Sequence, residues 1–416
     1  MPVFPRTKVR IPRDLKPITT IDCKAESVAP GAAGLSDDDA KPIWLALKAL
    51  YRTGAYPGLG FCLRRNGVVV FNRAIGHARG NGPSDGTDAE KILMTPQTPV
   101  CLFSASKAVT AVLIHQLAEQ GGIDLDARVS HYVPQFARAG KSDTTIADVL
   151  AHRGGFPMMQ IANSERRVEL LQDWNRVIEM ICRAPAARSR STAYHAITSG
   201  FILAEILQRV TGKPIQHALD RQLRKPLGMR HFSYGLPRAQ QRDAAVNSLA
   251  GAPVRFPLSS VAERALFVPF AEVVRTSNTQ AFMDAVIPAG NIYATADELS
   301  RFFQMLLAGG VHEGKRVLRE DSVARLIRPV GRMCFDRTLM IPMRYSEGMM
   351  LGARPAGLYG PDTAQAFGHL GFMNILGWAD PARGISAALL TTGKAILGTH
   401  LIALGRFLGT LSKRCA

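Results

Sequence analysis

The chain has 416 residues, of which 47% are hydrophobic and 20% are charged, a balance that provides a globular core and excludes wholesale disorder. Its length suggests two or three domains, or one large α/β unit with an insertion. The formal net charge is +18. The basic residues are scattered rather than grouped in blocks, which favours a solvated basic surface over a nucleic-acid or membrane partner.

Several other classes of protein are also disfavoured by the sequence. No apolar run approaches the roughly 18 residues of a transmembrane helix, and the first twenty residues lack the apolar segment of a secretory signal peptide. The cysteines stand at positions 23, 62, 101, 182, 334 and 415, without metal-ligand spacing. Since no P-loop or dinucleotide fingerprint is present either, we expect neither a metal nor a cofactor. Sparse cysteines indicate a reducing compartment, and the cytoplasm is the expected location.

The first quarter of the chain predicts an arm, a helix and a β-hairpin. Residues 1–20 are rich in proline and basic residues and are interpreted as an extended N-terminal arm. Good helix formers and spaced apolar residues over 37–52 predict the first helix. Asn66-Gly67 lies between two apolar stretches and is typical of a hairpin turn. An amphipathic helix is predicted over 104–120, closed by two glycines.

The rest of the chain is predicted to be helical in the middle and to return to strands near its end. The predicted helices are 145–151, 166–182, 198–210, 215–223 and 296–307. Two strands, 374–378 and 384–392, flank a turn at Asp380-Pro381, and a helix follows at 395–411. Strands near both ends suggest a mixed sheet built from both termini. The expected α/β domain comprises residues 21–100 and 311–416, with a mostly helical domain at 101–310 inserted in it.

The first candidate for chemistry is Ser104-Ala105-Ser106-Lys107, at the start of the predicted helix. Residues i and i+3 share a helix face, so Ser104 and Lys107 can point into one site, whereas Ser106 faces elsewhere. A serine hydroxyl needs a base to become a nucleophile, and a lysine serves when burial keeps it neutral. Taken alone, the same serine is more often a helix N-cap.

Further sequence matches along the chain favour the catalytic role of Ser104 over the N-cap role. The segment around Ser104 resembles the serine β-lactamase/penicillin-binding-protein family, in particular its esterase and class C branch. Four further segments resemble the same family in its order: TTIADVLAHRGGFP, YHAITSGFILAEILQRVTGKPI, PAGNIYATADELSRFFQMLLAGG and FGHLGFMNILGWADPARGISAALLTT. Together they cover about residues 40–410 and are more specific than any single motif. The resemblance implies an antiparallel sheet flanked by helices.

The resemblance implies roles for three residues. Ser104 would be the acyl-forming nucleophile and Lys107 its base or proton shuttle. Tyr194, which opens the motif Tyr194-His195-Ala196, would lie beside the serine hydroxyl. It would act as phenolate or through a shared proton. His195 is interpreted as a packing residue.

The third motif implied by the resemblance is His369-Leu370-Gly371. His369 would form a wall of the site or donate a hydrogen bond, where β-lactamases usually have lysine. Gly371 would permit a close backbone approach, and the N–H of Phe372 would pair with that of Ser104 as an oxyanion hole. The later Thr391-Thr392-Gly393 imitates a KTG motif, but its position after the hairpin suggests a strand end.

Two departures from the family pattern bear on the substrate. Ala196 stands where the second motif usually has Asn, and His369 replaces the third-motif lysine. Both changes remove groups that hold a β-lactam amide and its carboxylate, and a hydrogen bond to a charged group is typically worth roughly 1.5–3 kcal/mol. Efficient β-lactam hydrolysis is therefore not expected, whereas neutral acyl esters suit the site. Phe372 and Met373 either wall an apolar acyl site or pack in the core.

The sequence thus predicts a serine esterase or acyltransferase that acts on small or medium acyl esters through a Ser104 acyl-enzyme. Alternatives with the same nucleophile are an amidase, a peptidase or a weak β-lactamase. A catalytically silent scaffold and a basic-surface binding protein are alternatives of another class. A Ser-His-Asp triad is disfavoured because His115, His152 and His217 all sit in helical contexts and none is better placed to act as a base, and no G-x-S-x-G elbow occurs. The sequence leaves the oligomeric state open.

Overall fold

The structure is a computed structural model that describes residues 7–27, 30–159, 161, 167–187, 191–256 and 258–416. The first six residues of the predicted arm and residue 166 of a predicted helix lie outside these ranges. The strands are β1 (Thr19–Ile21), β2 (Gly58–Arg65), β3 (Val68–Arg79), β4 (Ile92–Leu93), β5 (Val100–Cys101), β6 (Ser233–Tyr234), β7 (Ser248–Leu249), β8 (Ile292–Ala294), β9 (Val311–His312), β10 (Lys315–Arg316), β11 (Cys334–Asp336), β12 (Ile341–Met343), β13 (Met350–Leu351), β14 (Ala356–Gly357), β15 (Gly360–Pro361), β16 (Phe367–Gly371), β17 (Ile375–Asp380), β18 (Ile385–Thr391) and β19 (Gly393–Lys394).

The α-helices of the described residues complete the inventory. They are α1 (Asp37–Tyr51), α2 (Ser106–Glu119), α3 (Val129–Tyr132), α4 (Ile146–Leu150), α5 (Trp174–Arg183), α6 (Thr198–Thr211), α7 (Ile215–Leu219), α8 (Arg238–Gln241), α9 (Leu258–Leu266), α10 (Phe270–Thr276), α11 (Gln280–Asp284), α12 (Ala296–Leu307), α13 (Glu320–Ile327) and α14 (Thr399–Arg414).

Local sequence signals explain where several elements begin and turn. Ser36 caps α1 by accepting a hydrogen bond from the backbone of Asp39, and three acids follow in the first turn, where they suit the helix dipole. Asn66 and Gly67, at the β2–β3 turn, both have positive φ, 51° and 82°, as a two-residue hairpin turn of the primed type requires. Helix α12 begins with a capping box between Thr295 and Glu298.

The main sheet joins strands from both ends of the chain. Its order is β1-β3-β2-β18-β17-β16-β13, with β4 added to β3, and every pair is antiparallel. The predicted origin of the sheet from both termini is confirmed, as is the antiparallel sheet flanked by helices. The expectation of a mixed sheet is wrong, because neighbouring strands of this sheet all run in opposite directions.

Helices cover both faces of the sheet. Helices α1 and α14 pack together on one face, and their buried residues form a core cluster with the fully buried Trp378 of β17. Helix α12 packs on the opposite face against β2, β17 and β18. A Cβ at Gly377 would come within 2.5 Å of the Phe303 ring and 2.7 Å of Leu299, so glycine allows this helix to approach the sheet closely.

The predicted element boundaries hold in part. The helix expected over 166–182 is divided into a 3₁₀ segment, Val168–Gln172, and α5. The helix expected over 215–223 continues from α7 into a π-helical turn. The expected domain division stays a prediction, although helix α12, expected in the inserted domain, packs on the sheet. Among the described residues no helix is long and apolar enough to cross a membrane.

Candidate active site

The candidate nucleophile lies on a tight turn between a strand and a helix. Ser104 is in the 3₁₀ turn Phe103–Ala105, directly before α2. Two hydrogen bonds to β8 fix this turn: Leu102 N donates to Ile292 O at 2.7 Å, and Ile292 N donates to the side-chain Ser106 Oγ at 3.0 Å. Ser106 therefore faces away from Ser104, as its position in the sequence predicts.

Lys107 lies one helical turn after Ser104 and points at it. Its Nζ is 3.2 Å from Ser104 Oγ and donates to Ala289 O at 2.8 Å. The side chain is buried, and this burial lowers the pKa of Lys107 from 10.5 to about 7. Because the charged form is desolvated, a substantial fraction of the amine is neutral at physiological pH and can accept a proton.

Tyr194 lies beside this pair, before helix α6. The Lys107 Nζ is 4.9 Å from the centroid of its ring, and the buried Oη has no hydrogen-bond partner among the described residues. Burial raises the pKa of Tyr194, and the nearby Ser104 hydroxyl opposes that shift only in part. The pKa therefore favours the shared-proton role over the phenolate role at neutral pH.

A buried carboxylate holds the backbone of Tyr194. Asp336 Oδ1 accepts hydrogen bonds from Tyr194 N at 3.2 Å and from Thr338 N and Leu339 N, each at 2.8 Å. Its Oδ2 accepts from Tyr345 Oη at 2.9 Å. Four donors satisfy this carboxylate without a cation. Its negative charge adds to the raised pKa of Tyr194.

The sequence interpretation missed His152, whose ring lies in the site. It follows α4 with a positive φ of 58°, and its centroid is 4.7 Å from that of Tyr194. Its Nδ1 accepts a hydrogen bond from His195 N at 3.2 Å, so the proton of the neutral ring is on Nε2. The sequence placed His152 only in a helical context, and the structure has it just beyond α4, which ends at Leu150.

His369 closes the site from strand β16. Its ring centroid is 6.1 Å from that of Tyr194, and its Nδ1 lies 2.7 Å from Leu370 O, which assigns the proton to Nδ1 and leaves Nε2 as an acceptor. Burial, followed by the charge of Lys107, lowers the pKa of His369 to about 3. His369 is therefore neutral and does not supply the positive charge of a third-motif lysine.

Gly371 brings the end of β16 against the nucleophile turn. A Cβ at this position would lie 2.3 Å from Leu102 O, so only glycine fits without displacing the backbone. The next residue, Phe372, packs its ring 5.2 Å from that of Phe103. Neither Phe372 N nor Ser104 N donates to the described residues, so both backbone donors are available to a bound group.

A narrow apolar cavity of about 80 Å³ begins at Ser104. Phe103, Ala196, Ile197, Phe282 and Phe372 are among the residues that line it, and Arg167 is the only charged side chain in the described part of its wall. No cluster of His, Cys, Asp and Glu in the described residues could hold a metal ion. The arrangement offers a hydroxyl, a base of lowered pKa, two free N–H donors and a place for an apolar chain.

Comparison with known proteins gives consistent results. The sequence model of the Beta-lactamase family matches residues 45–401. A curated relative, the "Esterase/beta-lactamase LipL" of Mycobacterium tuberculosis, is 30% identical over 301 residues, which cover 70% of this chain and 68% of that protein.

Solved structures share the fold over nearly the whole chain. A penicillin-binding protein homologue from Caulobacter crescentus superposes with a TM-score of 0.77 at 24% identity, covering 91% of this chain and 98% of that one. A family VIII carboxylesterase superposes with a TM-score of 0.76, also at 24% identity, covering 92% and 99%.

Proposed function

Because the chain belongs to the Beta-lactamase family and is a serine hydrolase of that fold, we propose that it is a carboxylesterase or acyltransferase. Its substrates are esters with small or medium acyl chains, and the reaction passes through an acyl-enzyme on Ser104. The observation that carries this proposal is the buried Lys107 amine, 3.2 Å from Ser104 Oγ and with a pKa of about 7.

The acylation step uses the neutral form of that amine. Lys107 accepts the proton of Ser104 as the serine oxygen bonds to the ester carbonyl carbon. The N–H groups of Ser104 and Phe372 donate to the carbonyl oxygen, which becomes negatively charged in the tetrahedral intermediate. The carbon–oxygen bond to the alcohol then breaks, and Lys107 returns the proton to the leaving oxygen, directly or through Tyr194.

The second step releases the acyl group. Water or another alcohol enters where the first alcohol left and loses its proton to the same pair of residues. The attack forms a second tetrahedral intermediate, in which the bond between the acyl carbon and Ser104 Oγ breaks as the same residues return the proton to that oxygen, leaving free Ser104 and an acid or a new ester. Tyr194 suits a relay because its buried hydroxyl has no hydrogen-bond partner among the described residues and its ring centroid lies 4.9 Å from Lys107 Nζ.

The residues around this machinery favour neutral esters over β-lactams. A β-lactam carries a carboxylate, but His369 is neutral with a pKa of about 3. Ala196 has no amide with which to hold the substrate amide. A carboxylate placed beside His369 would lose part of its hydration without a lysine at that position to compensate the loss, whereas a neutral ester does not incur that cost.

The cavity beside Ser104 supports an apolar acyl chain. Its wall includes Ile197, Phe282 and Phe372, and burial of each methylene against such a surface contributes roughly 0.8 kcal/mol. The volume of about 80 Å³ is well below the roughly 300–1,000 Å³ of drug-sized sites. Short and medium chains therefore suit it better than long ones.

The decisive experiment combines labelling with a substrate panel. A fluorophosphonate probe is expected to label wild-type protein but not Ser104→Ala, and p-nitrophenyl esters of increasing acyl length are compared with nitrocefin. The proposal expects kcat/KM to rise with chain length, pass through a maximum at a medium chain and exceed that for nitrocefin. Absence of labelling would favour a catalytically silent scaffold, and preference for nitrocefin would favour a β-lactamase.

The remaining alternatives have their own readouts. Hydrolysis of peptides or amides in preference to esters would favour the amidase or peptidase alternative. The charge of +18 would indicate a nucleic-acid partner only if DNA binding weakened steeply with salt. The cytoplasmic location stays a prediction. It is compatible with the six cysteines, which are all free thiols in the structure.

A further inference from the structure

Another buried lysine, Lys394, lies behind the turn that carries Ser104 and has no role in the steps above. Lys394 of β19 is fully buried, and its Nζ donates to Thr391 O at 2.8 Å. No carboxylate among the described residues pairs with it. The neighbouring Cys101 supplies no charge, since burial raises the pKa of its thiol to about 12. A buried amine without an ionic partner is costly to keep.

The first contact of Lys394 is with a residue of the turn that carries Ser104. Its Nζ is 4.9 Å from the ring centroid of Phe103, the residue directly before Ser104. Phe103 has a positive φ of 46°, a conformation that strains a non-glycine residue and persists only when the surroundings hold it. The ring is held between Lys394 and two other aromatic rings, those of Phe282 and Phe372.

The second contact of Lys394 is with Thr391, which connects it to the turn that carries Phe372 on the other side of the candidate oxyanion hole. Thr391, whose carbonyl accepts from Lys394, has an Oγ1 that lies 3.2 Å from both Met373 O and Asn374 O. These two residues form the β16–β17 turn with positive φ values of 51° and 64°. They directly follow Phe372, whose N–H is the second proposed donor.

We propose that Lys394 and Thr391 are positioning residues that hold the N–H groups of Ser104 and Phe372 at the spacing needed to bind the oxyanion. Lys394 fixes the turn that carries Ser104 through the ring of Phe103. Thr391 fixes the turn that carries Phe372 through two backbone carbonyls. The hydrogen bond between Lys394 and Thr391 joins the two supports. This inference rests on the proposed function, because it concerns how the same site stabilises negative charge.

The chain provides a matched control for the test. Thr392 is as buried as Thr391, but its Oγ1 bonds to Gly58, accepting from the N at 2.9 Å and lying 3.2 Å from the O. Among the described residues, no hydrogen bond of its side chain reaches the β16–β17 turn. The variants are Lys394→Met, Thr391→Val, Thr391→Ser and Thr392→Val. Each is assayed for p-nitrophenyl butyrate hydrolysis, inhibition by n-butylboronic acid, thermal unfolding, and amide hydrogen exchange of residues 368–378.

The inference predicts that Lys394→Met and Thr391→Val lower kcat about 10- to 100-fold with little change in KM, as expected when oxyanion donors are misplaced. Boronic acid affinity falls in parallel, because the adduct on Ser104 imitates the tetrahedral intermediate. Exchange in residues 368–378 accelerates, Thr391→Ser restores activity, and Thr392→Val retains it. Lys394→Met does not lower the unfolding midpoint, because the buried amine that it removes has no ionic partner and is costly to keep out of water.

Two results would overturn the inference: unchanged kcat and exchange in Lys394→Met and Thr391→Val, or an equal loss in Thr392→Val. Failure of the proposed function looks different, since wild-type protein would then neither hydrolyse the ester nor bind the boronic acid. In that case the exchange measurement still decides whether Lys394 and Thr391 hold the turn. Equal exchange in Thr391→Val and wild type contradicts the positioning role.

Discussion

Replacement of Lys107 by methionine is expected to abolish ester turnover and to stabilise the folded protein. Burial lowers the pKa of Lys107 from 10.5 to about 7 in the folded state, whereas the unfolded chain keeps the ordinary value. Between these values the unfolded state binds more protons, so the free energy of unfolding of the wild type rises with pH. Since one pKa unit corresponds to about 1.4 kcal/mol, the buried ammonium costs the folded state about 5 kcal/mol below pH 7.

The methionine variant lacks this cost at every pH. The difference in free energy of unfolding between the variant and the wild type therefore depends on pH. From the linkage relation, the ammonium contributes about 5 kcal/mol of that advantage at pH 6 and about 2 kcal/mol at pH 9. Loss of the hydrogen bond to Ala289 O subtracts about 1 kcal/mol at all pH values. We therefore expect the stability difference between variant and wild type to decrease by about 3 kcal/mol from pH 6 to pH 9.

Urea unfolding of both proteins across this pH range measures the difference directly. Every other titrating group, including Lys394, is present in both proteins and largely cancels in the comparison. A difference in stability that does not change with pH would show that Lys107 does not titrate in this range when folded. Lys107 would then not be neutral at physiological pH and could not serve as the base.

Other substitutions test the remaining parts of the site. Ser104→Ala should lower ester turnover by several orders of magnitude with the fold retained. Ser106→Ala should keep the activity but cost about 1 kcal/mol of unfolding free energy, because Ile292 N loses its acceptor. Tyr194→Phe should lower kcat by roughly 100-fold or more without lowering the unfolding midpoint, because the hydroxyl that it removes is buried and has no hydrogen-bond partner in the described part of the chain. His369→Lys should give at most a small gain in kcat/KM for nitrocefin and a larger one with Ala196→Asn added, with p-nitrophenyl butyrate as the reference substrate. A wild type that already prefers nitrocefin would contradict this last expectation.

Local signals in the sequence were sufficient for the elements that depend on near neighbours. Asn66-Gly67 predicted its hairpin because few residues other than Asn and Gly adopt two successive positive φ values at low cost. The i, i+3 spacing of Ser104 and Lys107 predicted their proximity, and their reactive atoms are 3.2 Å apart. Ser104 lies in a 3₁₀ turn rather than in the helix itself. The prediction still holds because residues i and i+3 share a face in a 3₁₀ turn as they do in an α-helix.

Other features of the site depend on long-range contacts, which spacing does not reveal. His152 reaches Tyr194 because its backbone turns to positive φ after α4, and a histidine at a helix end gives no signal of this. Asp336 is 142 residues along the chain from Tyr194, whose backbone N–H donates to it. Lys394 follows a segment interpreted as a strand end, and a lysine there is ordinarily solvent-exposed. Only the packing of β19 behind Phe103 reveals its burial.

The central claim is that Ser104 forms a covalent acyl-enzyme from an ester. It is tested most directly by rapid acid quench of the protein with p-nitrophenyl butyrate, followed by peptide mass spectrometry. We expect a peptide containing Ser104 that is heavier by one butyryl group. It should accumulate in the wild type and be absent from Ser104→Ala. Turnover of the ester with the butyryl group on another residue, or unchanged in Ser104→Ala, would contradict it.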